Sequence, residues 1–142
     1  MRSAAVTFLL SYLASATLLA AALKEADKSP AEPHYDPASV VDISGTVVSV
    51  REVPQGSRLG GLHLLVSTET GEIEAYLGPS EFVKEFEITF SKGDDIQIVG
   101  SKVSSDGGYL ILVREVRKGD IFLYLRDRTG HPNWPARPKP TT

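Results

Sequence analysis

The chain contains no cysteine. Disulfides, thiolate metal sites, thiol nucleophiles and covalent Cys-x-x-Cys-His haem attachment are therefore all excluded. Histidine is scarce, with three residues, and Trp134 is the single tryptophan. Charge of one sign is also missing: 15 Lys+Arg and 18 Asp+Glu are intermixed, for a formal charge of -3. A nucleic-acid binder needs a basic stripe to meet phosphates, and none is present. What remains is enough for one modest domain of 142 residues, 42% of them hydrophobic, with a small core.

The N-terminus is a different material. Met1-Arg2 precedes the apolar run AAVTFLLSYLASATLLAAA, after which come Lys24, Glu25 and Asp27. A basic start, an apolar stretch and small residues at Ala20, Ala21 and Ala22 are the order of a secretory signal peptide with an Ala-x-Ala cleavage site. The alternative is an uncleaved anchor, since a bilayer needs about 20 apolar residues and Ser11, Ser15 and Thr17 dilute this run. Either way the remainder is expected outside the cytoplasm, periplasmic or extracellular. Four segments follow: residues 1–22 as signal or anchor, 23–39 as a proline-rich tether, 40–126 as the folded domain, and 127–142 as a proline-rich extended tail.

Within residues 40–126 the pattern is almost entirely β. VVDISGTVVSVREV reads as a long first strand with Gly45 as a bulge or bend. LHLLVST and EIEAYLG alternate with period two and form a hairpin, expected to pair Val66 with Ala75 and Leu64 with Leu77 about a Thr70-Gly71 turn. GPSEFVKEFEITF then changes period: Pro79 and Ser80 suit a first helical turn, and Phe82 and Phe86 stand at i, i+4. DIQIVGSKV is a fourth strand whose apolar parity switches, calling for a bulge at Gly100-Ser101. YLILVREV, apolar on both faces, is a fifth, and IFLYLRD an appended sixth. Lys-Gly-Asp occurs twice, at Lys92-Gly93-Asp94 and Lys118-Gly119-Asp120, each time just before an apolar β-run. Glycine can supply a positive φ there and aspartate a local backbone bond, so the repeat reads as turn punctuation.

Three strands, a helix, two strands and an added strand, with GDDIQIVGSKVSSDGGYLILVREV as the fourth strand and closing hairpin, resemble the OB-fold. The resemblance covers about residues 40–116. It implies a mostly β, five-stranded Greek-key barrel with one short helix between strands three and four. With the export signal, the chain is similar to small periplasmic OB-fold proteins of bacteria. A β-sandwich and an SH3-like barrel are the competing folds, and a helix after the third strand argues against both.

Catalytic signals are weak. No Gly-x-Ser-x-Gly elbow is present. Asp94-Asp95 and Glu85/Glu87 read as solvated turn and edge residues, lacking the desolvation that tunes a general acid. GSRLGG lacks the Lys-Ser/Thr ending of a phosphate loop. His34, His63 and His131 are not at metal-ligand spacing. The expectation is a non-enzyme with no cofactor and no metal site. One further resemblance is to the haem chaperones of cytochrome c maturation, exported OB domains with a haem-linking histidine near a flexible C-terminus, where His131 beside Trp134 would correspond.

OB-folds bind through strands two and three and two flanking loops. Here that face carries Arg58, His63, Leu65, Glu74 and Tyr76, with Asp106 in the opposing loop. One aromatic among carboxylates is wrong for single-stranded nucleic acid. The face suits instead a peptide, glycan or cationic small ligand. A second expectation is a structural or assembly role, in which Phe122 and Tyr124 on the added strand, together with Trp134, dock a partner protein. Trp134 folding back over Phe122 and Tyr124 would remove that surface.

Overall fold

The computed structural model of the protein describes residues 32–135. The signal or anchor segment, most of the tether and the end of the tail lie outside the described residues. A 3₁₀ turn, Pro37–Ser39, leads into six strands: β1 Val40–Val53, β2 Gly61–Thr68, β3 Gly71–Gly78, β4 Asp95–Ser105, β5 Gly108–Lys118 and β6 Ile121–Tyr124. One short helix, α1 Ser80–Lys84, joins β3 to β4.

The strands close into a five-stranded barrel. Neighbours run β3-β2-β1-β4-β5, all antiparallel, and a short parallel contact of Glu74–Tyr76 with Leu110–Leu112 joins β3 to β5. β6 lies outside the ring and, among the described residues, pairs only with β5. This is the mostly β, five-stranded barrel with an added strand expected from the strand order, with the one short helix between the third and fourth strands.

β1 serves two neighbours in turn. Val40–Thr46 pair with β4, and Thr46–Val53 with β2. At the changeover, a Cβ on Gly45 would collide with Ser67 O and Val66 Cγ1, so glycine is there for close approach. The bulge itself falls three residues later, where Val48 is the extra residue between Val47 and Ser49. Burial along β4 changes parity at Gly100-Ser101 as expected. The extra residue, however, is Arg114 on β5, since Val99 pairs with Glu115 and Gly100 with Val113.

The β2–β3 register also differs from expectation. Leu64 pairs with Ala75 and Val66 with Ile73, so the two-residue loop is Glu69-Thr70. Thr68 fixes it: its Oγ1 donates to Gly71 O at 2.7 Å and accepts from Thr70 N. A shift of two leaves parity intact, so Leu64, Val66, Ala75 and Leu77 still fill the barrel. Val83 of α1, with Ile88 and Phe90, joins that core. Burying each large apolar side chain contributes about 1.5–3 kcal/mol.

β5 is apolar on both faces because both are covered. Ile111 and Val113 belong to the barrel core, whereas Leu110 and Leu112 form a second cluster with Tyr76, Tyr35, Leu59 and Val103. Tyr35 comes from the segment expected as a loose tether. That segment is pinned by Ser101, whose buried Oγ accepts from Asp36 N at 2.9 Å and donates to Asp36 O at 3.0 Å. The extended-tail expectation also gives way within the described residues: Arg126 bridges to Pro132, and Asn133 N donates to Leu125 O, turning the chain back.

Candidate functional site

The outer side of β2 and β3 carries the residues expected to bind ligand, and most of their polar atoms are already engaged. His63 is buried between two acceptors, with Nδ1 2.8 Å from Glu74 Oε1 and Nε2 donating to Leu59 O at 2.7 Å. Glu74 also takes Arg51 at 2.6 Å. Tyr76 packs 4.9 Å from the His63 ring, and its hydroxyl donates to Gly60 O at 2.8 Å. Arg58 pairs with Asp106 at 3.1 Å, tying the β1–β2 loop to the β4–β5 loop. Leu65 is half-buried beside them. The β1–β2 loop is thus fastened down over this face. Leu59 is held at a positive φ of 51° by the bond to His63.

The open space lies next to that lid. A cleft of about 930 Å³ is bounded by the N-terminal segment, the β1–β2 loop, α1 and the turn after β6. Its floor is built around Arg126, which is only 7% exposed. Leu125 N and Arg126 N both bond Arg114 O, and this aims the Arg126 side chain across the seam between β3 and β5. There its Nη1 donates to Val113 O of β5 and, at 3.4 Å, to Leu77 O of β3. The arginine thus prolongs a barrel closure that the backbone makes over only three residues a side.

Two aromatic rings flank the guanidinium: Trp134 at 4.8 Å and Tyr76 at 5.4 Å. Trp134 lies against Gly78 and 5.6 Å from Phe82, which in turn meets Phe86 edge-on at 5.1 Å. The turn that delivers Trp134 is set by Asp127. Its Oδ1 accepts from Thr129 N, Thr129 Oγ1 and His131 N, and these bonds hold its carboxyl below the usual 3.8. On the opposite wall Tyr35 lies against Gly130, where a Cβ would strike its ring. Burial lowers the Arg126 pKa to about 10, a value at which the group is still cationic near neutrality.

The structure therefore brings Tyr76 and Trp134, one from each expected set, to a single cleft. It leaves Phe122 and Tyr124 elsewhere, on β6, 49% and 57% exposed and stacked on each other. Trp134 does not cover them. His131 is exposed in the Asp127 turn, and His34 is exposed at the cleft edge. Among the described residues no group of three or more His, Asp or Glu could hold a metal ion. The residues that sequence reasoning missed are Arg126 and Tyr35. The local signal for the first was Asp127-x-Thr129-Gly130, a side-chain-capped turn that reverses the chain.

A family model for the MamS/MamX magnetosome protein family matches residues 39–123. No curated protein matches the chain. Tyr35, Arg126 and Trp134 flank the matched span, whereas Tyr76 and the β1–β2 loop lie within it.

Proposed function

Because the chain belongs to the MamS/MamX magnetosome protein family, we propose that it acts as a non-catalytic, exported OB-fold binding module of the bacterial envelope. The observation that carries this reading is the cleft, in which a buried cation is set between Tyr76 and Trp134. A concave site with aromatic walls and one oriented polar group is how small ligands and chain segments are held. Against a catalytic role, the one histidine–carboxylate pair among the described residues has its far nitrogen tied to a backbone carbonyl, so His63 has no free edge to act on a substrate. Export is supported by the order of charges and apolar residues in the first two dozen positions.

The test is to purify the full chain from its own envelope and weigh it by native mass spectrometry beside Trp134→Ala. The expected result is added mass on the natural chain that is lost from the variant. Recovery in the cytosolic fraction, or bare protein in both cases, overturns the reading.

A second reading, an assembly component docking a partner protein, is favoured by β6. Ile121, Phe122 and Tyr124 are about half exposed or more, on a strand with one edge unpaired among the described residues.

A further inference from the structure

We propose that the cleft binds the carboxylate of an apolar or aromatic organic acid, with Arg126 as its counter-ion and Trp134 as its stacking wall. This rests on the binding-module reading and names the ligand class. The starting point is an imbalance of charge. Arg126 is 93% buried by its 7% exposure, yet no carboxylate among the described residues lies within ion-pair distance of it. Its partners are two backbone carbonyls, both on Nη1, and two ring faces. A guanidinium presents five N–H donors, so the Nε and Nη2 edge makes no hydrogen bond within the described residues. A buried cation without an anion is costly to maintain, and an entering carboxylate would remove that cost.

A second orphan sits across the cleft. The Tyr35 hydroxyl is buried with no hydrogen-bond partner among the described residues, and Tyr35 and Arg126 line the same cleft. A carboxylate could accept from the free guanidinium edge with one oxygen and, once the Tyr35 ring turns toward it, from its hydroxyl with the other. The walls fix the rest of the ligand. Trp134, Tyr76 and Leu112 offer apolar and aromatic surface, which suits a hydrophobic body behind the acid group. The rim carries Glu32, Glu81 and Glu85. Those carboxylates repel a dense, multiply charged anion such as phosphate, while one cation on the floor suffices for a single carboxylate.

Trp134 is the chain's only tryptophan, so its fluorescence reports the cleft directly. The probes are N-acetyl-phenylalanine, a short acetylated peptide ending in phenylalanine, the amide of each, and inorganic phosphate. Both acids are expected to shift the emission saturably, with each amide at least about tenfold weaker and phosphate without effect at equal ionic strength. Tighter binding of the peptide acid assigns the source as a chain end; equal affinity assigns a free acid. Substitution of Arg126 also removes a barrel contact, so the variant of choice is the exposed pair Glu81→Gln and Glu85→Gln. It should raise acid affinity about two- to threefold at low salt and leave the amides unchanged. Equal binding of acid and amide overturns the carboxylate assignment and leaves the binding module standing. No response to any probe overturns it too, and combined with bare protein from the envelope removes both.

Discussion

Lys118 and Asp94 belong to the two Lys-Gly-Asp copies, and they bond to each other. Lys118 Nζ lies 2.9 Å from Asp94 Oδ2 and donates to Thr89 O, while Asp94 Oδ2 also accepts from Ser91 N at 2.8 Å. The glycines behave as the sequence suggested, with φ of 93° at Gly93 and 59° at Gly119. The cross-link was not legible, because the start of β4 meets the end of β5 only through their antiparallel register, with Gln97 opposite Arg117. The Lys118 and Ser91 bonds hold the Asp94 carboxyl below its usual 3.8. A lowered folded-state pKa means that the stabilisation is fully present above the unfolded value and is lost as pH falls through the folded one. Asp94→Asn should therefore lower the urea midpoint at pH 7, and the gap from the natural chain should close as pH drops below about 3.8 toward 2. Asp127→Asn should behave alike, for its own turn bonds. A gap that persists unchanged at pH 2 would assign the effect to lost packing rather than charge.

Among the elements, period-two alternation identified the faces of β2 and β3 but not their register. Register was decided by a side chain, Thr68, closing the turn one residue earlier than Thr70-Gly71 would have done. β6 shows the same division between what pattern reveals and what contact decides. Its alternation separates Leu123, 1% exposed against the barrel, from Phe122 and Tyr124 outside, and the sequence could not say whether the outer face was covered. Leu123→Ala should cost about 2–5 kcal/mol of unfolding free energy by leaving a cavity. Phe122→Ser with Tyr124→Ser should stay within about 0.5 kcal/mol per site, since those rings contact mainly each other and, for Phe122, the Arg117 guanidinium at 5.0 Å. Chemical denaturation separates the two cases. If the serine pair instead unfolds the chain, the outer face of β6 is a structural element and the assembly reading falls.

For the whole molecule, strand order and helix placement were readable because local periodicity encodes them, whereas the destinations of the proline-rich flanks were not. A segment without apolar periodicity docks through isolated anchors, here Tyr35 on one flank and Trp134 on the other, and spacing cannot point to their sockets. The two flanks meet, with Tyr35 against Gly130, so the cleft exists only while both are seated. Ser101 is the position where that dependence can be measured. It is fully buried on β4 and binds both the N–H and the carbonyl of Asp36, with Ser39 Oγ 2.8 Å away. Ser101→Ala leaves Asp36 N without its acceptor, while Asp36 O keeps Ser39 N and Ser39 Oγ, at a cost of about 1–3 kcal/mol. The barrel should survive, since its core and its closure by Arg126 are untouched. Hydrogen exchange should accelerate at Ser39 and Asp36 while β4 and β5 amides stay protected. Trp134 emission should move to the red as the Tyr35 wall loosens, and affinity for an aromatic carboxylate should fall with it. Unchanged exchange and emission would mean that the Tyr35–Gly130 contact holds the flank alone; faster exchange without an emission change would mean that the N-terminal flank is not a wall of the Trp134 cleft.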